Sequence, residues 1–288
     1  MANVLIIGCG DIGSALAKLL SKHGHQVTGV KRHPPAQPGN INYIAADITV
    51  ASELEVLAAE DFELVFFIVS ADGRNEQSYR DIYDTGLNNL ISLFARNKRN
   101  PRWLFVSSTS VYGQDNGEWV DETSLAQPTN GTSRWIRQAE QILQNLSPKN
   151  IIVRFSGIYG PGREYLLRSA QQAPMIQQSP PYYTNRIHQD DCLGILAFLL
   201  QQHLADVALE SCYLASDDKP APMWEVISWL ASEMHCPQPQ AKQVPDNAPM
   251  NKRCSNQRLK VLGYRFKYPS YSDGYLPLIL NRNQPTDI

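Results

Sequence analysis

Two hydrophobic rhythms alternate along the first half of the chain. Residues 4–7 form a short, continuous apolar run that ends in glycines. Residues 12–22 then place Ile12, Ala15, Leu16, Leu19 and Leu20 at helical spacing, with Gly24 suited to a C-cap. Runs at 27–30 and 43–46 predict two further strands, and 52–59 predicts a helix. Residues 64–69 (LVFFIV) are continuously apolar, as a strand buried on both faces requires. One long helix is expected over 77–97, a strand over 103–106, a helix over 133–146 and a strand over 151–155. Strands alternating with helices across residues 1–155 predict an α/β fold built on a doubly wound parallel sheet.

The second half changes character. Proline and glutamine cluster around 171–181 and 237–249, and two helices are expected near 190–202 and 223–234, with Pro222 in the first turn of the latter. Residues 212–215 predict a last strand of the sheet. The expected organisation is a nucleotide-binding domain over 1–155, rejoined by segments near 185–215. A smaller substrate lobe is expected from 156–184 and 216–288.

Composition narrows the function classes. With 43% hydrophobic residues among 288, the chain can bury a core, which excludes intrinsic disorder. Its 26 basic and 28 acidic residues nearly cancel, so it lacks the positive field of a non-specific nucleic-acid binder, and no nucleic-acid partner is expected. The longest apolar run, 192–200, is about half a membrane span, so no membrane association is expected. Five cysteines, an odd number without CxxC spacing, argue against a disulfide framework or a metal site. The apolar start has no basic region before it and reads as a first strand rather than a signal peptide. The expected location is the cytoplasm.

Gly8-Cys9-Gly10-Asp11-Ile12-Gly13 matches G-x-G-x-x-G, directly after a strand and at the start of a helix. This is the context of the Rossmann dinucleotide fingerprint. Gly8 would permit the tight turn, Gly10 the approach of a pyrophosphate, and Gly13 close packing of helix on sheet. The helix N-terminus offers N–H groups and a positive dipole to the phosphates. An NAD site places an acid about 20 residues after the loop, on the ribose 2′-hydroxyl. Here the second strand ends in Lys31-Arg32, two cations that favour a 2′-phosphate by charge-assisted hydrogen bonds. NADP is therefore expected over NAD. Asp47 and Ile48, after the third strand, are placed to meet the adenine. Val69, Ser70 and Ala71, after the fourth, are placed to line the cofactor ribose.

Phe105-Val106-Ser107-Ser108-Thr109-Ser110-Val111-Tyr112-Gly113 resembles the SS-x-x-VYG segment of the extended short-chain dehydrogenases/reductases, the NAD-dependent epimerase/dehydratase family. Other segments match in order: Arg154 to Gly162 resembles R-x-x-N-x-YGPG, Asn185 to Asp191 resembles R-x-x-IH-x-x-D, and Ser255 to Tyr264 resembles N-x-x-L-x-x-LG. The resemblance spans nearly the whole chain and is closest to an atypical bacterial branch, the YeeZ-like proteins. It implies hydride chemistry on a small-molecule substrate, with a nucleotide sugar as the candidate, and Tyr159, Arg163, Arg186 and His188 as candidate substrate contacts. Ser108 matches the family's catalytic serine. The family's Tyr-x-x-x-Lys pair, however, falls on Asn130 and Arg134, its upstream asparagine falls near Tyr83 and Asp84, and the asparagine before YGPG is Gly157.

These departures matter chemically. An amide has no usable proton-transfer pKa near neutrality, and loss of a positioned acid or base removes about 10²–10⁴ of rate. Arg134 could hold ribose hydroxyls but stays charged and cannot relay a proton. Tyr112, Tyr159, Tyr165, Asp72 and His188 are the alternative proton donors in the sequence. Two readings stay open: an enzyme of the epimerase/dehydratase type with a degenerate site, or a non-catalytic NADP(H)-binding sensor or scaffold.

Overall fold

The computed structural model describes residues 1–37 and 39–282. Five strands, β1 (Asn3–Ile7), β2 (Gln26–Lys31), β3 (Asn42–Ala45), β4 (Leu64–Phe67) and β5 (Arg102–Ser108), join Ile151–Phe155 and Cys212–Ala215 in a seven-stranded parallel sheet. Its spatial order is Cys212–Ala215, Ile151–Phe155, β5, β4, β1, β2, β3. The two most apolar runs lie side by side at the centre: Val4 pairs with Leu64 on one side and Val27 on the other, and every residue of β4 is buried. The order of the strands reverses at β1, so the crevice at the carboxyl ends of β1 and its neighbours is where an open α/β sheet binds its ligand.

The helix α1 (Asp11–Lys22) follows β1 and buries Ile12, Leu16 and Leu20. Residues 51–57 form a 3₁₀ segment instead of the expected helix over 52–59. Only Leu54 and Leu57 are buried there, an i, i+3 pair that eclipses in a three-residue turn. The single helix expected over 77–97 is divided. α2 (Glu76–Arg80) and α3 (Leu87–Arg96) are joined by one π turn, Asp81–Gly86. Within it the Tyr83 hydroxyl donates to the Val69 carbonyl at 3.0 Å, and Gly86 packs so closely on Ile48 that a Cβ would crowd it. The wider turn lets the helix meet both loops at the carboxyl edge of the sheet.

α4 (Gly131–Leu146) is held to the sheet by a buried ionic cluster. Glu140 is fully buried and accepts from Arg154 Nε (2.9 Å) and Nη2 (2.7 Å), from Arg137 Nη1 (2.7 Å) and from Ser107 Oγ (2.5 Å).

The chain divides into two compact units. The first comprises 1–111, 126–154 and 193–213 and contains β1 to β5 and α1 to α4. The second comprises 112–125, 155–192 and 214–288. Segments 112–125 and 185–192, expected with the sheet, thus pack with the second unit. Residues 283–288 of the expected lobe lie outside the described residues. The second unit has its own core, including Leu167, Val226, Leu230, Tyr271 and Tyr275, and a parallel pair formed by Arg186–His188 and Gly157–Tyr159. Among the described residues no cysteine forms a disulfide, no helix is long and apolar enough to cross a membrane, and no His/Cys/Asp/Glu group could hold a metal.

Candidate functional site

The loop after β1 is shaped by three glycines with different constraints. Gly8 has φ +93°, and a Cβ there would collide with the Ile68 carbonyl. A Cβ on Gly13 would strike the Gly8 carbonyl, so α1 can approach the loop only with glycine at that position. Gly10 is different: beyond its two chain neighbours, nothing lies within 4 Å of where its Cβ would be. It is also the N-cap of α1, and being glycine it brings no side chain to cap that helix. The chain's own packing therefore does not require a glycine at residue 10, whereas a phosphate group lying against the backbone does. The N–H groups and dipole of the first turn point into the same space. The residues present fit a dinucleotide.

A cavity of about 260 Å³ opens in front of this loop. Of the residues expected at the cofactor, Gly8, Gly10, Lys31, Arg32, Asp47, Ile48, Val69 and Ser70 line it, while Asp11, Ile12, Gly13, Ala71 and Arg134 lie outside its wall. The lining residues outside that expected set are Ile7, Cys9, Val30, Ala46, Ile68, Asp72 and, from the π turn, Ile82. Asp72 entered the sequence reading only as a proton donor. Burial pushes the Cys9 thiol up to about 12 despite nearby Lys31, which makes it an inert wall atom. Asp47 accepts from the Thr49 N–H (2.9 Å) and hydroxyl (2.7 Å) through one carboxylate oxygen, fixing the turn after β3. Arg32 donates to Asp72 through both terminal nitrogens, at 2.5 and 2.6 Å, and this bond holds the Asp72 carboxyl below the usual carboxylate range.

A second polar cluster lies where β5 ends and α4 begins. Ser108 Oγ accepts from the Ser110 N–H (3.1 Å), and Ser133 Oγ donates to Ser110 Oγ (2.9 Å). Asn130, at the family's tyrosine position, is the N-cap of α4, with Oδ1 accepting from Ser133 N (2.8 Å) and Thr132 Oγ1 (2.9 Å). Its role here is to cap a helix, which a phenol could not do. Arg134 is exposed one turn along α4. The Glu76 carboxylate lies so close over Gly131 that any Cβ there would collide with it. Nothing in the sequence pattern singles out Glu76, which meets α4 only through the fold.

The five alternative proton donors are placed as follows. Asp72 is ion-paired to Arg32. In the second unit, the buried Tyr112 donates to the Asp121 carbonyl at 2.7 Å. Tyr159 is buried, stacks on Tyr275 with centroids 4.3 Å apart, and has its pKa driven far up by desolvation. Tyr165 is 71% exposed. His188 is buried edge-on to Tyr159, accepts from the Asp190 N–H at Nδ1 (3.1 Å), and is kept neutral by desolvation. Of the other expected substrate contacts, Arg163 donates its backbone N–H to the Gly160 carbonyl (2.9 Å). Arg186 is buried, donates to Thr184 Oγ1 and lies 5.4 Å over the Tyr271 ring. Beside it, burial raises the Asp217 carboxyl to about 7 against the pull of Arg186.

Comparisons with known proteins agree with this geometry. The sequence profile of the NAD dependent epimerase/dehydratase family matches residues 4–198. The protein YeeZ of Escherichia coli K12 is 29% identical over 208 residues, 70% of this chain and 74% of that one. A solved structure of a candidate NAD-dependent epimerase/dehydratase from Methylobacillus flagellatus superposes with a TM-score of 0.83 at 33% identity, covering 98% of this chain and 99% of that one. The UDP-glucose 4-epimerase of Thermotoga maritima, solved with UDP-glucose, shares the fold with a TM-score of 0.75 at 16% identity, covering 96% and 97%. With the glycine loop, the uncapped α1 and the reversal of strand order at β1 all in place, the chain belongs to the NAD dependent epimerase/dehydratase family.

Proposed function

We propose that the chain is an NADP(H)-binding oxidoreductase-like protein that acts on a sugar or nucleotide sugar in the cytoplasm through a degenerate Ser/Tyr/Lys site. The observation that carries this reading is the open space in front of Gly10, at an uncapped helix start. The bound nicotinamide would supply hydride transfer at a carbinol carbon. Gly8, Gly10 and the first turn of α1 would hold the pyrophosphate, and Lys31 and Arg32 the 2′-phosphate. Ser108 Oγ would orient the substrate oxygen. Arg134 would contribute positive potential without moving a proton. The UDP-glucose held by the Thermotoga maritima relative supports the substrate class. Cysteines outside any disulfide suit a reducing compartment.

A second reading is a redox sensor that binds the same cofactor and transforms nothing. The capping role of Asn130 favours it. Turnover separates the two. Common sugar nucleotides are expected to show little turnover on the first reading and none on the second. Asn130→Tyr is expected to leave that unchanged, because Arg134 replaces the lysine, and to cost about 1 kcal/mol through the lost cap. Epimerase-like turnover by the wild type would overturn the degenerate-site reading.

Cofactor choice tests the dinucleotide directly. A hydrogen bond to a charged group contributes about 1.5–3 kcal/mol, so NADPH should bind roughly tenfold to a hundredfold more tightly than NADH. Half-exposure of Arg32 favours the lower figure, and added salt should narrow the gap. The double variant Lys31→Ala, Arg32→Ala should weaken NADPH and spare NADH in a nicotinamide fluorescence titration. Equal losses for both cofactors would show that the cations do not read the 2′-phosphate.

A further inference from the structure

The Arg32–Asp72 pair occupies an unusual place in the topology. Arg32 follows β2, and Asp72 lies in the loop after β4. Because the sheet runs β4, β1, β2, those two strand ends flank the end of β1 and are about 10 Å apart at ordinary strand spacing. A side chain from one that meets a side chain from the other must reach across the end of β1, where the Gly8–Gly10 loop lies. Both residues line the cavity in front of that loop. The terminal edge of the guanidinium is wholly committed: Nη1 meets Oδ2 at 2.5 Å and Nη2 meets Oδ1 at 2.6 Å. A phosphate that binds Arg32 end-on uses that same edge, and one that binds side-on through Nε and Nη2 still meets the Asp72 charge across the guanidinium.

We propose that Asp72 is an internal competitor for the 2′-phosphate of the dinucleotide, and so a determinant of cofactor choice that acts through Arg32. The proposal rests on the reading that Arg32 faces the 2′-phosphate. A carboxylate on the guanidinium opposes that phosphate twice, by holding its hydrogen-bond donors and by repelling its charge. Asp47, in the same wall, adds a second negative charge near Arg32. The cavity rim therefore carries two cations and two anions, a weaker preference for a 2′-phosphate than Lys31-Arg32 alone would give. Both partners are about half exposed or more, at 50% and 63%, so the ion pair itself is weak and a ligand can open it. The 2′-hydroxyl of an unphosphorylated ribose carries no charge, so Asp72 does not repel it.

The test uses the full chain and two fragments without nicotinamide, 2′,5′-ADP and 5′-ADP, titrated calorimetrically. Screened Coulomb repulsion and release of the ion pair together predict that Asp72→Asn tightens 2′,5′-ADP about five- to tenfold and changes 5′-ADP less than about twofold. Asp72→Glu, which restores the carboxylate, should remove most of the gain. In an Arg32→Ala background the Asp72→Asn gain should fall below about twofold, the level of charge repulsion alone. Equal changes for both fragments, no change for either, or an undiminished gain without Arg32 would each overturn the proposal. Failure of the NADP reading is seen separately. It would appear in the wild type as equal or tighter binding of 5′-ADP, whereas the proposal is judged on the change that Asp72→Asn produces.

Discussion

Glu140→Ala is expected to cost about 3–5 kcal/mol of folding stability, the loss typical when one partner of a buried ion pair is removed. The carboxylate is fully buried, and Arg154, which meets it through two nitrogens, is itself 3% exposed. Alanine would leave that guanidinium charged in a dry environment and would take the acceptor from Ser107 and Arg137 as well. Water cannot reach Arg154 without opening the contact between α4 and the sheet. A urea titration measures the effect as a lower midpoint. Replacing both members of the pair, Glu140→Leu with Arg154→Met, should recover much of the loss, because no fully buried charge then remains and Arg137 still reaches solvent. A loss under about 1 kcal/mol for the single variant would mean that the cluster is hydrated in solution.

The second large effect separates folding from binding within one loop. Gly8→Ala and Gly13→Ala should both destabilise the protein, by about 1–3 kcal/mol, the usual cost of forcing atoms into a packed site. At Gly13 the gain in helix propensity, about 1 kcal/mol, offsets only part of the clash with the Gly8 carbonyl. At Gly8 the left-handed φ of +93° adds strain to the collision with the Ile68 carbonyl. Gly10→Ala should behave in the opposite way. Its backbone is ordinary extended chain and its Cβ points into open space, so thermal stability should fall by only about 0.5–1 kcal/mol, the N-cap preference for glycine over alanine. That methyl would stand where the pyrophosphate approaches, and dinucleotide affinity should fall tenfold or more, at about 1.4 kcal/mol per factor of ten. A Gly10→Ala protein that binds NADPH normally would place the phosphates elsewhere.

The parts of the fold that could be read from sequence are those that a single segment dictates. The β1 loop announces itself because a tight turn, a phosphate and a close helix each demand glycine at a fixed offset. The run LVFFIV reveals a central strand because only burial on both faces tolerates six apolar residues in succession. The π turn at Asp81–Gly86 leaves no such trace, since one extra residue per turn hardly disturbs an apolar stripe. The Arg32–Asp72 pair joins residues 40 apart in sequence, and neither local pattern predicts the other. The assignment of 112–125 to the second unit is likewise a product of tertiary packing. Asn130 is an intermediate case. Its cap was legible in principle, as an asparagine immediately before a helical pattern, but the family resemblance directed attention to the phenol it lacks. The surroundings of Tyr112, Tyr159 and His188 decide whether a proton can move, and those surroundings exist only once the second unit has folded.

The uncapped start of α1 has a consequence for how long the protein survives. Gly10 brings no side chain to the first turn of α1, and on the proposed reading the phosphates of the cofactor would complete it. Occupancy of the site then becomes part of the folding energy. At a free cofactor concentration one hundred times its dissociation constant, linkage adds about 2.7 kcal/mol to the native state. Because the loop and α1 lead directly into β1 and β2, fraying there loosens the centre of the sheet rather than its rim. The cell's nicotinamide pool would thus set the chain's resistance to proteolysis, and a shortage of cofactor would shorten its lifetime.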